Sequence, residues 1–183
     1  MVSIPTGSLA GAHDPAGAPK NTARLTRAAA WAAAAAVLDP EVPVLTIEDL
    51  GVLREVSVRD DGAVTVTVTP TYSGCPAMEA IEHDVEDAVR AAGFADVSVR
   101  RVLAPAWTTD WMTEQGRRKL AEYGVAPPAR RTTAGPVAVS LSVRCPQCGS
   151  PDTSELSRFG STACKSLWRC MTCREPFDHF KAI

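Results

Sequence analysis

The sequence lacks a long hydrophobic run and carries little net charge. Its longest apolar stretch, residues 28–38, contains eleven residues, most of them alanine, whereas a membrane-spanning helix needs about 20 apolar residues. The same stretch would make a poor signal segment, because more than twenty residues precede it. A formal net charge of −2 over 183 residues disfavours a nucleic-acid interface. We therefore expect a cytoplasmic protein that binds neither a membrane nor nucleic acid.

Histidine is scarce, and the common catalytic fingerprints are missing. The three histidines are scattered along the chain, so they offer no nucleophile and base that could be paired. The Glu-x-x-His pair of a di-iron oxygenase and the glycine fingerprint of a dinucleotide site do not occur. These absences argue against an enzyme. Cysteine, in contrast, occurs six times, and in the cytoplasm cysteines are more often metal ligands or reactive thiols than disulfides.

The strongest motif is a pair of C-x2-C knuckles near the C-terminus. Twenty-one residues separate the two knuckles, a spacing close to that of zinc ribbons, and each knuckle brings two sulfurs to one point. The sequence therefore predicts a closed, structural zinc site, although four thiolates alone do not exclude a rubredoxin-like iron or an iron–sulfur cluster. The predicted ligands are Cys145, Cys148, Cys170 and Cys173.

The remainder of the chain has the pattern of a small α/β domain. Alternation of valine and threonine predicts strands, and apolar residues at helical spacing predict an amphipathic helix. Trp107 and Trp111, four positions apart, are expected to anchor an extension on the core. The predicted order is helix 24–38, strand 52–59, strand 63–69, helix 77–92 and strand 97–103.

These patterns define the expected fold class and domains. The class is α+β, with a small α/β domain whose helices cover one face of a mixed sheet, followed by a C-terminal four-cysteine zinc ribbon. The ribbon is expected to begin with a strand at residues 137–143 that leads to the first knuckle. The expected boundaries are a disordered tail at 1–23, the α/β domain at 24–124, a linker at 125–136 and the ribbon at 137–183.

Cys75 lies between a predicted strand and a predicted helix. Proline is favoured at the first helical position, so Pro76 would make Cys75 the N-cap, where the helix dipole should make the thiol more acidic. The alternative is a small buried residue that closes a turn. Cys164, a fifth cysteine inside the ribbon, is a candidate accessory thiol whose pKa the adjacent Lys165 could lower, or else a packed thiol.

Several acidic residues cluster in the turn at residues 39–51. Four acids close together could bind a hard cation, but the usual spacing of a calcium loop is absent. Capping and turn roles are therefore favoured for Asp39 and Asp49.

Several stretches of the sequence resemble a known family. Residues 39–43, 47–51 and 71–76 are similar to the MIP18-like (DUF59) family of small α/β domains associated with iron–sulfur cluster assembly. The ribbon, with residues 158–165 and 177–181, and the segment 105–112 resemble the PaaD branch of that family, which belongs to bacterial phenylacetyl-CoA epoxidase systems. The resemblance covers residues 24–183 and implies a MIP18-like fold for the first domain.

The resemblance also implies a function and a site. It implies a non-catalytic accessory subunit of aerobic phenylacetate breakdown that helps to insert the iron–sulfur cluster, or the metal, of the epoxidase or its iron–sulfur reductase subunit. The implied partners are these subunits and iron–sulfur assembly proteins. By matching position, the implied cluster-handling residues are Cys75, Asp39, Glu41, Asp49 and Thr71.

Two features of this function remain open in the sequence. One thiolate cannot complete the coordination of a cluster, so a transient cluster bound by Cys75 could bridge two protomers of a homodimer. The alternatives to a maturation role are a scaffold that docks the epoxidase subunits without handling a cluster, and a general iron–sulfur cluster carrier.

Overall fold

A computed structural model describes residues 26–129 and 143–182 of the chain. The expected tail at 1–23 lies outside these residues, as do nearly all of the strand expected at 137–143 and most of the expected linker. The elements are α1 (Arg27–Ala35), β1 (Leu53–Val58), β2 (Val64–Val68), α2 (Met78–Ala91), β3 (Val97–Arg101), a 3-10 turn (Thr109–Trp111), α3 (Glu114–Glu122), β4 (Thr153–Ser157), β5 (Lys165–Cys170) and β6 (Pro176–Phe180).

The first three strands form a mixed sheet in the order β1-β2-β3. β1 and β2 are antiparallel and are joined by a tight turn in which Gly62 has a φ of 86°. β2 and β3 are parallel, so α2 serves as the crossover between them. The predicted order of helix, two strands, helix and strand is confirmed, with ends that differ from the predicted ones by at most three residues.

The helices of this domain pack together against the sheet. α1 contacts both β1 and α2, and α2 contacts β3. The apolar face of α2 is buried, and β2 contributes a row of buried valines to the same core. The expected arrangement, with helices on one face of a mixed sheet, is therefore confirmed. The buried residues of these two elements include Met78, Ile81, Val85, Val89, Val64, Val66 and Val68.

The tryptophan extension fastens the segment after β3 to the core, as expected from the sequence. Trp107 is buried, and its Nε1 donates a hydrogen bond to the carbonyl oxygen of Leu50 at 2.9 Å. The guanidinium carbon of Arg54 lies 3.4 Å from the ring centroid of Trp111. Gly51 has a φ of 71°, and a Cβ at this position would lie 2.5 Å from the carbonyl oxygen of Trp111. The extension and the acidic turn therefore pack closely against each other.

The C-terminal strands form a separate antiparallel sheet in the order β4-β5-β6. This sheet is joined to the first domain by main-chain bonds on both sides of Ala126. The N–H of Ala126 donates to Asp178 at 2.8 Å, and the N–H of Phe180 donates to Ala126 at 2.9 Å. The ring of Phe180 lies 6.0 Å from that of Trp107. Residues 125 and 126, which the sequence predicts to be part of a linker, are thus buried, and Ala126 pairs with β6.

Within residues 26–129 and 143–182, no helix is long and apolar enough to cross a membrane.

Candidate metal centre and thiol site

The four knuckle cysteines meet at one point of the ribbon. Their sulfur atoms all lie within 4.8 Å of one another. The Sγ atoms of Cys145 and Cys173 are 3.7 Å apart, and those of Cys148 and Cys170 are 3.6 Å apart. The two knuckles predicted from the sequence are therefore brought together into one cluster of four sulfurs.

Each knuckle is a tight turn closed by a residue with positive φ. In the first turn, the N–H of Gly149 donates to Cys145 at 2.9 Å, and the φ of Gly149 is 73°. In the second turn, the N–H of Cys170 donates to Glu175 at 3.0 Å, and Arg174 has a φ of 69°. The left-handed residue reverses the chain directly after each C-x2-C pair, so both sulfurs of a pair point toward the same centre.

The arrangement of the sulfurs fits a tetrahedral metal. Zinc–sulfur bonds of about 2.3 Å at tetrahedral angles place sulfurs about 3.8 Å apart, close to the two distances observed here. The N–H of Cys173 donates to Cys170 Sγ across 3.4 Å, and this bond, with a second contribution from the backbone of Thr172, lowers the pKa of Cys170 to about 6. The metal ligand is a thiolate, so this shift favours ligation at Cys170. Although a backbone hydrogen bond at Glu175 opposes it, burial and hydrogen bonds with the other three sulfurs raise the pKa of Cys173 to about 12, so the four thiols do not ionise alike.

The structure corrects the predicted position of Cys75. α2 begins at Met78 with Ala77 as its N-cap, so Cys75 lies in the turn before the helix. The N–H of Cys75 donates to Tyr72 at 3.3 Å, and Cys75 in turn accepts from the N–H of Met78 at 3.4 Å. The second of these two turns occupies positions 76 and 77, where the sequence predicts the first helical residues.

The prediction of an acidic Cys75 thiol is wrong. Burial raises its pKa, and the negative charges of Glu41 and Asp39 raise it further. Hydrogen bonds from the backbone of Ala77 and from the side chain of Tyr72 oppose this shift without reversing it. A half-buried thiol beside carboxylates keeps its proton at neutral pH, because the charged form is poorly solvated and repelled by its neighbours.

The acidic turn brings two carboxyl groups close to Cys75. Asp39 is buried, and its Oδ1 accepts hydrogen bonds from the N–H groups of Glu41 at 2.9 Å and Val42 at 2.7 Å. Burial nevertheless raises the pKa of Asp39, and burial together with the charge of Asp39 raises the pKa of Glu41. The expected turn role of Asp39 thus coexists with a position beside the candidate thiol.

The ribbon contributes Cys164 to this same region. Cys164 is buried, at 4% exposure, and its Sγ lies 3.9 Å from Glu41 Oε2 and 3.0 Å from Thr162 Oγ1. Burial raises its pKa and Glu41 raises it further, so the expected lowering by Lys165 is real but too small to reverse the shift. Cys164 belongs to the hydrophobic core of the α/β domain, and Cys75 packs against that core.

Tyr72 is a member of this group that sequence reasoning missed. Its pKa is raised to about 12, first by burial and then by the charges of Cys75, Glu41 and Cys164. Tyr72 lies between Thr71 and Cys75 in the stretch that resembles the family, and this position is the signal from which its place in the site could have been predicted. We use the name thiol site for Cys75, Cys164, Glu41, Asp39 and Tyr72.

Two other residues implied by the family resemblance have different surroundings. Asp49 Oδ2 lies 2.6 Å from Lys119 Nζ, and its Oδ1 accepts from the hydroxyl of Thr113 at 3.0 Å. Despite partial burial, these bonds and one from the backbone of Thr46 lower the pKa of Asp49. Asp49 therefore joins the acidic turn to α3, and its hydrogen bond with the backbone of Thr46 gives it the turn role expected from the sequence. Thr71 lies half-buried in the turn that follows β2.

Comparison with known proteins relates both domains to described families. The model for "Iron-sulfur cluster assembly protein" matches residues 27–100, and that for "PaaD zinc beta ribbon domain" matches residues 129–181. A "Putative 1,2-phenylacetyl-CoA epoxidase" subunit of Escherichia coli is 50% identical over 153 residues, which cover 84% of this chain and 91% of that protein. A "Fe-S protein maturation auxiliary factor" of Porphyromonas gingivalis is 40% identical over 85 residues, which cover 46% of this chain and 80% of that protein. A solved DUF59 domain from Bacillus anthracis is 26% identical with a TM-score of 0.48, and the match covers 51% of this chain and 90% of that one.

Proposed function

The chain belongs to the PaaD branch of the MIP18-like (DUF59) family, and we propose that it is a non-catalytic maturation subunit of a phenylacetyl-CoA epoxidase system. In this role, within aerobic phenylacetate breakdown, it assists the insertion of an iron–sulfur cluster into the epoxidase or its reductase subunit. The cytoplasm is the proposed compartment, because its reducing conditions keep all six cysteines available as thiols.

The setting of Cys75 is the observation that carries this proposal. The thiol is half-buried, holds its proton at neutral pH, and lies beside two carboxyl groups. A metal must displace that proton to bind, so the raised pKa weakens the bond to the metal at neutral pH. A ligand that holds a cluster weakly suits a carrier, since the cluster must leave again.

The ribbon has a different role in this proposal. Its four sulfurs match a tetrahedral zinc centre, and a centre with four protein ligands has no open position for substrate or water. Bound zinc would hold the two knuckles together and thereby fix the sheet of β4, β5 and β6. We propose that Cys145, Cys148, Cys170 and Cys173 hold this structural zinc.

Restoration of epoxidase activity tests the maturation role. A strain that lacks this protein is supplied with the wild-type chain, with Cys75→Ala or with Ser73→Ala, and phenylacetyl-CoA epoxidation is measured in extracts. Ser73 is an exposed neighbour in the same turn and serves as the matched control. We expect Ser73→Ala to restore activity and Cys75→Ala to leave it at least tenfold lower. Full restoration by Cys75→Ala would overturn the maturation role.

A scaffold role is the second candidate, and exposed apolar residues on the ribbon favour it. Leu156 is 55% exposed and Phe159 is 66% exposed, at and just beyond β4, the strand at the edge of its sheet. In this alternative, the ribbon docks epoxidase subunits and Cys75 handles no cluster. Loss of activity in Leu156→Ser with Phe159→Ser, together with full activity in Cys75→Ala, would favour the scaffold over maturation.

A further inference from the structure

The thiol site is assembled from three separate parts of the chain. The acidic turn provides Asp39 and Glu41, the turn before α2 provides Tyr72 and Cys75, and the ribbon provides Cys164. The sequence alone predicts one metal centre from the four knuckle cysteines and indicates no residue that Cys164 would contact in the α/β domain. In the structure, Cys164 instead faces the α/β domain, with its sulfur 3.9 Å from Glu41 Oε2.

Glu41 and Tyr72 connect the two thiols of the site. The charge of Glu41 acts on both Cys75 and Cys164, and the phenol of Tyr72 is affected by both thiols as well. Asp39 also acts on both sulfurs. Glu41, Asp39 and Tyr72 thus interact electrostatically with both thiols, and Cys75 packs against the core to which Cys164 belongs, although 88 residues separate the two in the sequence.

The main chain and the neighbours of Cys164 hold it in place. Its carbonyl oxygen accepts a hydrogen bond from the N–H of Lys181 at 2.9 Å, and the buried Phe180 beside that bond packs against Trp107. Lys165 is buried at 6% exposure and pairs with Asp178 at 3.3 Å. The positive charge of Lys165 acts on Asp39, Glu41 and Cys164. The two carboxyl groups of the site outnumber this single cation, and such an excess of negative charge attracts a cationic ligand.

From this arrangement we propose that Cys164 is a second ligand of the cargo, so that one chain offers two thiolates, Cys75 and Cys164, to a polynuclear iron–sulfur cluster, with Glu41 beside them. Among the described residues, the group whose ligand atoms all lie within 4.8 Å of one another is that of the four ribbon cysteines, and the thiol site is separate from it. The protein ligands of a cluster bind different iron atoms, so they need not meet at one point. The inference rests on the proposed maturation function and extends it.

The proposed exchange is balanced in charge and atoms. Each cysteine forms one iron–sulfur bond and releases its thiol proton, while the donor loses one iron–sulfur bond and its thiolate takes up a proton. The irons and the bridging sulfides keep their oxidation states, so no oxidant or reductant is required. Two thiolates still leave two ligand positions of a cluster to be filled, so the bridge between two protomers expected from the sequence is compatible with this arrangement.

Anaerobic reconstitution of the full chain tests the inference. Four zinc-loaded proteins are incubated with ferrous iron, ferric iron and sulfide: the wild type, Cys75→Ala, Cys164→Ala and Thr162→Val. The bound iron and sulfide are then measured, together with the rate at which an iron chelator removes the cluster. Thr162→Val is the matched control, because it removes the hydroxyl that contacts Cys164 Sγ and leaves the thiol in place. A zinc content of one per chain in every variant checks that the ribbon is intact.

We expect the wild type and Thr162→Val to hold a cluster, Cys75→Ala to hold almost none, and Cys164→Ala to lose its cluster at least tenfold faster than the wild type. If Cys75→Ala lost the cluster while Cys164→Ala retained it as the wild type does, the role of Cys164 as a second ligand would be overturned and the maturation role would stand. Equal weakening by Thr162→Val and Cys164→Ala would also overturn it, because packing would then explain the effect. A wild type that binds no cluster would overturn both proposals.

Discussion

Cys164 Sγ and Glu41 Oε2 lie 3.9 Å apart, although 123 positions separate the two residues in the sequence. This contact joins the ribbon to the acidic turn of the α/β domain. It places a thiol from one domain beside a carboxyl group of the other. A metal bound by the four ribbon cysteines would therefore also help to fix the position of Cys164 at the thiol site.

The ribbon centre is expected to lose its zinc completely when one of the four cysteine ligands is removed. In Cys170→Ala, three sulfurs remain, and we expect the zinc content to fall from one per chain to near zero at micromolar protein concentration. Structural zinc contributes about 10–16 kcal/mol of apparent binding free energy in small metal-dependent domains, so the ribbon should unfold without it. Metal analysis and limited proteolysis check this, with Cys164→Ala as the control that retains zinc. Retention of zinc by Cys170→Ala would contradict the assignment.

The two thiols of the thiol site should react slowly and in a fixed order. Burial raises the pKa of both Cys75 and Cys164, so little thiolate exists at pH 7 and alkylation should accelerate as the pH rises through 9. Cys75 is half-buried and Cys164 almost fully buried, so iodoacetamide should modify Cys75 first. Mass spectrometry of zinc-loaded protein measures the order. Faster modification of Cys164 than of Cys75 would contradict the arrangement.

Replacement of Phe180 should loosen the contact between the domains. Phe180 is 1% exposed and packs against Trp107, so Phe180→Ala should reduce the free energy of unfolding by about 3–5 kcal/mol. It should also expose Cys164 and speed its alkylation, while Phe159→Ala, at an exposed position, should change neither. Denaturant unfolding and thiol alkylation provide the two readouts. Unchanged alkylation in a destabilised Phe180→Ala would show that Cys164 is held by other contacts.

Asp49 should make the stability depend on pH below neutrality. Although partial burial opposes the shift, hydrogen bonds from Lys119, Thr46 and Thr113 lower the pKa of Asp49. The resulting stabilisation is fully present above the unfolded-state pKa of about 3.9 and is lost as the pH falls through the lower folded-state pKa. Asp49→Asn should therefore reduce the free energy of unfolding by about 1–3 kcal/mol at pH 7. The free energy of unfolding should also depend less on pH in the acid range than it does in the wild type. Asp87→Asn, at an exposed position, should change the free energy of unfolding by less than about 0.5 kcal/mol. An equal effect of both variants would contradict the stabilising role of Asp49.

Alanine substitutions at Gly51 in the acidic turn and at Gly62 in the hairpin turn can be compared directly. Both have positive φ, so alanine is strained at either position by about 1 kcal/mol. At Gly51 the new Cβ would also overlap the backbone of Trp111, whereas at Gly62 it would meet open space. Gly51→Ala should therefore reduce the free energy of unfolding by more than about 2 kcal/mol and Gly62→Ala by about 1 kcal/mol. Similar values for the two variants would contradict the close packing of Trp111.

The sequence predicts the element order and the ribbon centre because both depend on local patterns. The valines of β2 alternate with threonines, α2 has a clear apolar face, and each C-x2-C knuckle brings its own two sulfurs together. The pairing of the knuckles follows from the four ligands that a structural zinc site requires.

The thiol site depends on long-range packing, and this is where sequence reasoning is insufficient. The approach of Cys164 to Glu41 follows from the pairing of Ala126 with β6 and from the contact of Phe180 with Trp107, and neither leaves a periodic signal. The sign of the pKa shift at Cys75 was mispredicted because the helix begins later than expected. Burial and the charge of Glu41 then outweigh the backbone hydrogen bond from Ala77.

The iron and acid-labile sulfide content of full-length protein purified anaerobically, with the wild type beside Cys75→Ala, tests the central claim most directly. We predict iron and sulfide in the wild type beyond the metal of the ribbon, and their loss in Cys75→Ala with the zinc content unchanged. Equal iron and sulfide in the two proteins would contradict the claim that Cys75 holds the cluster.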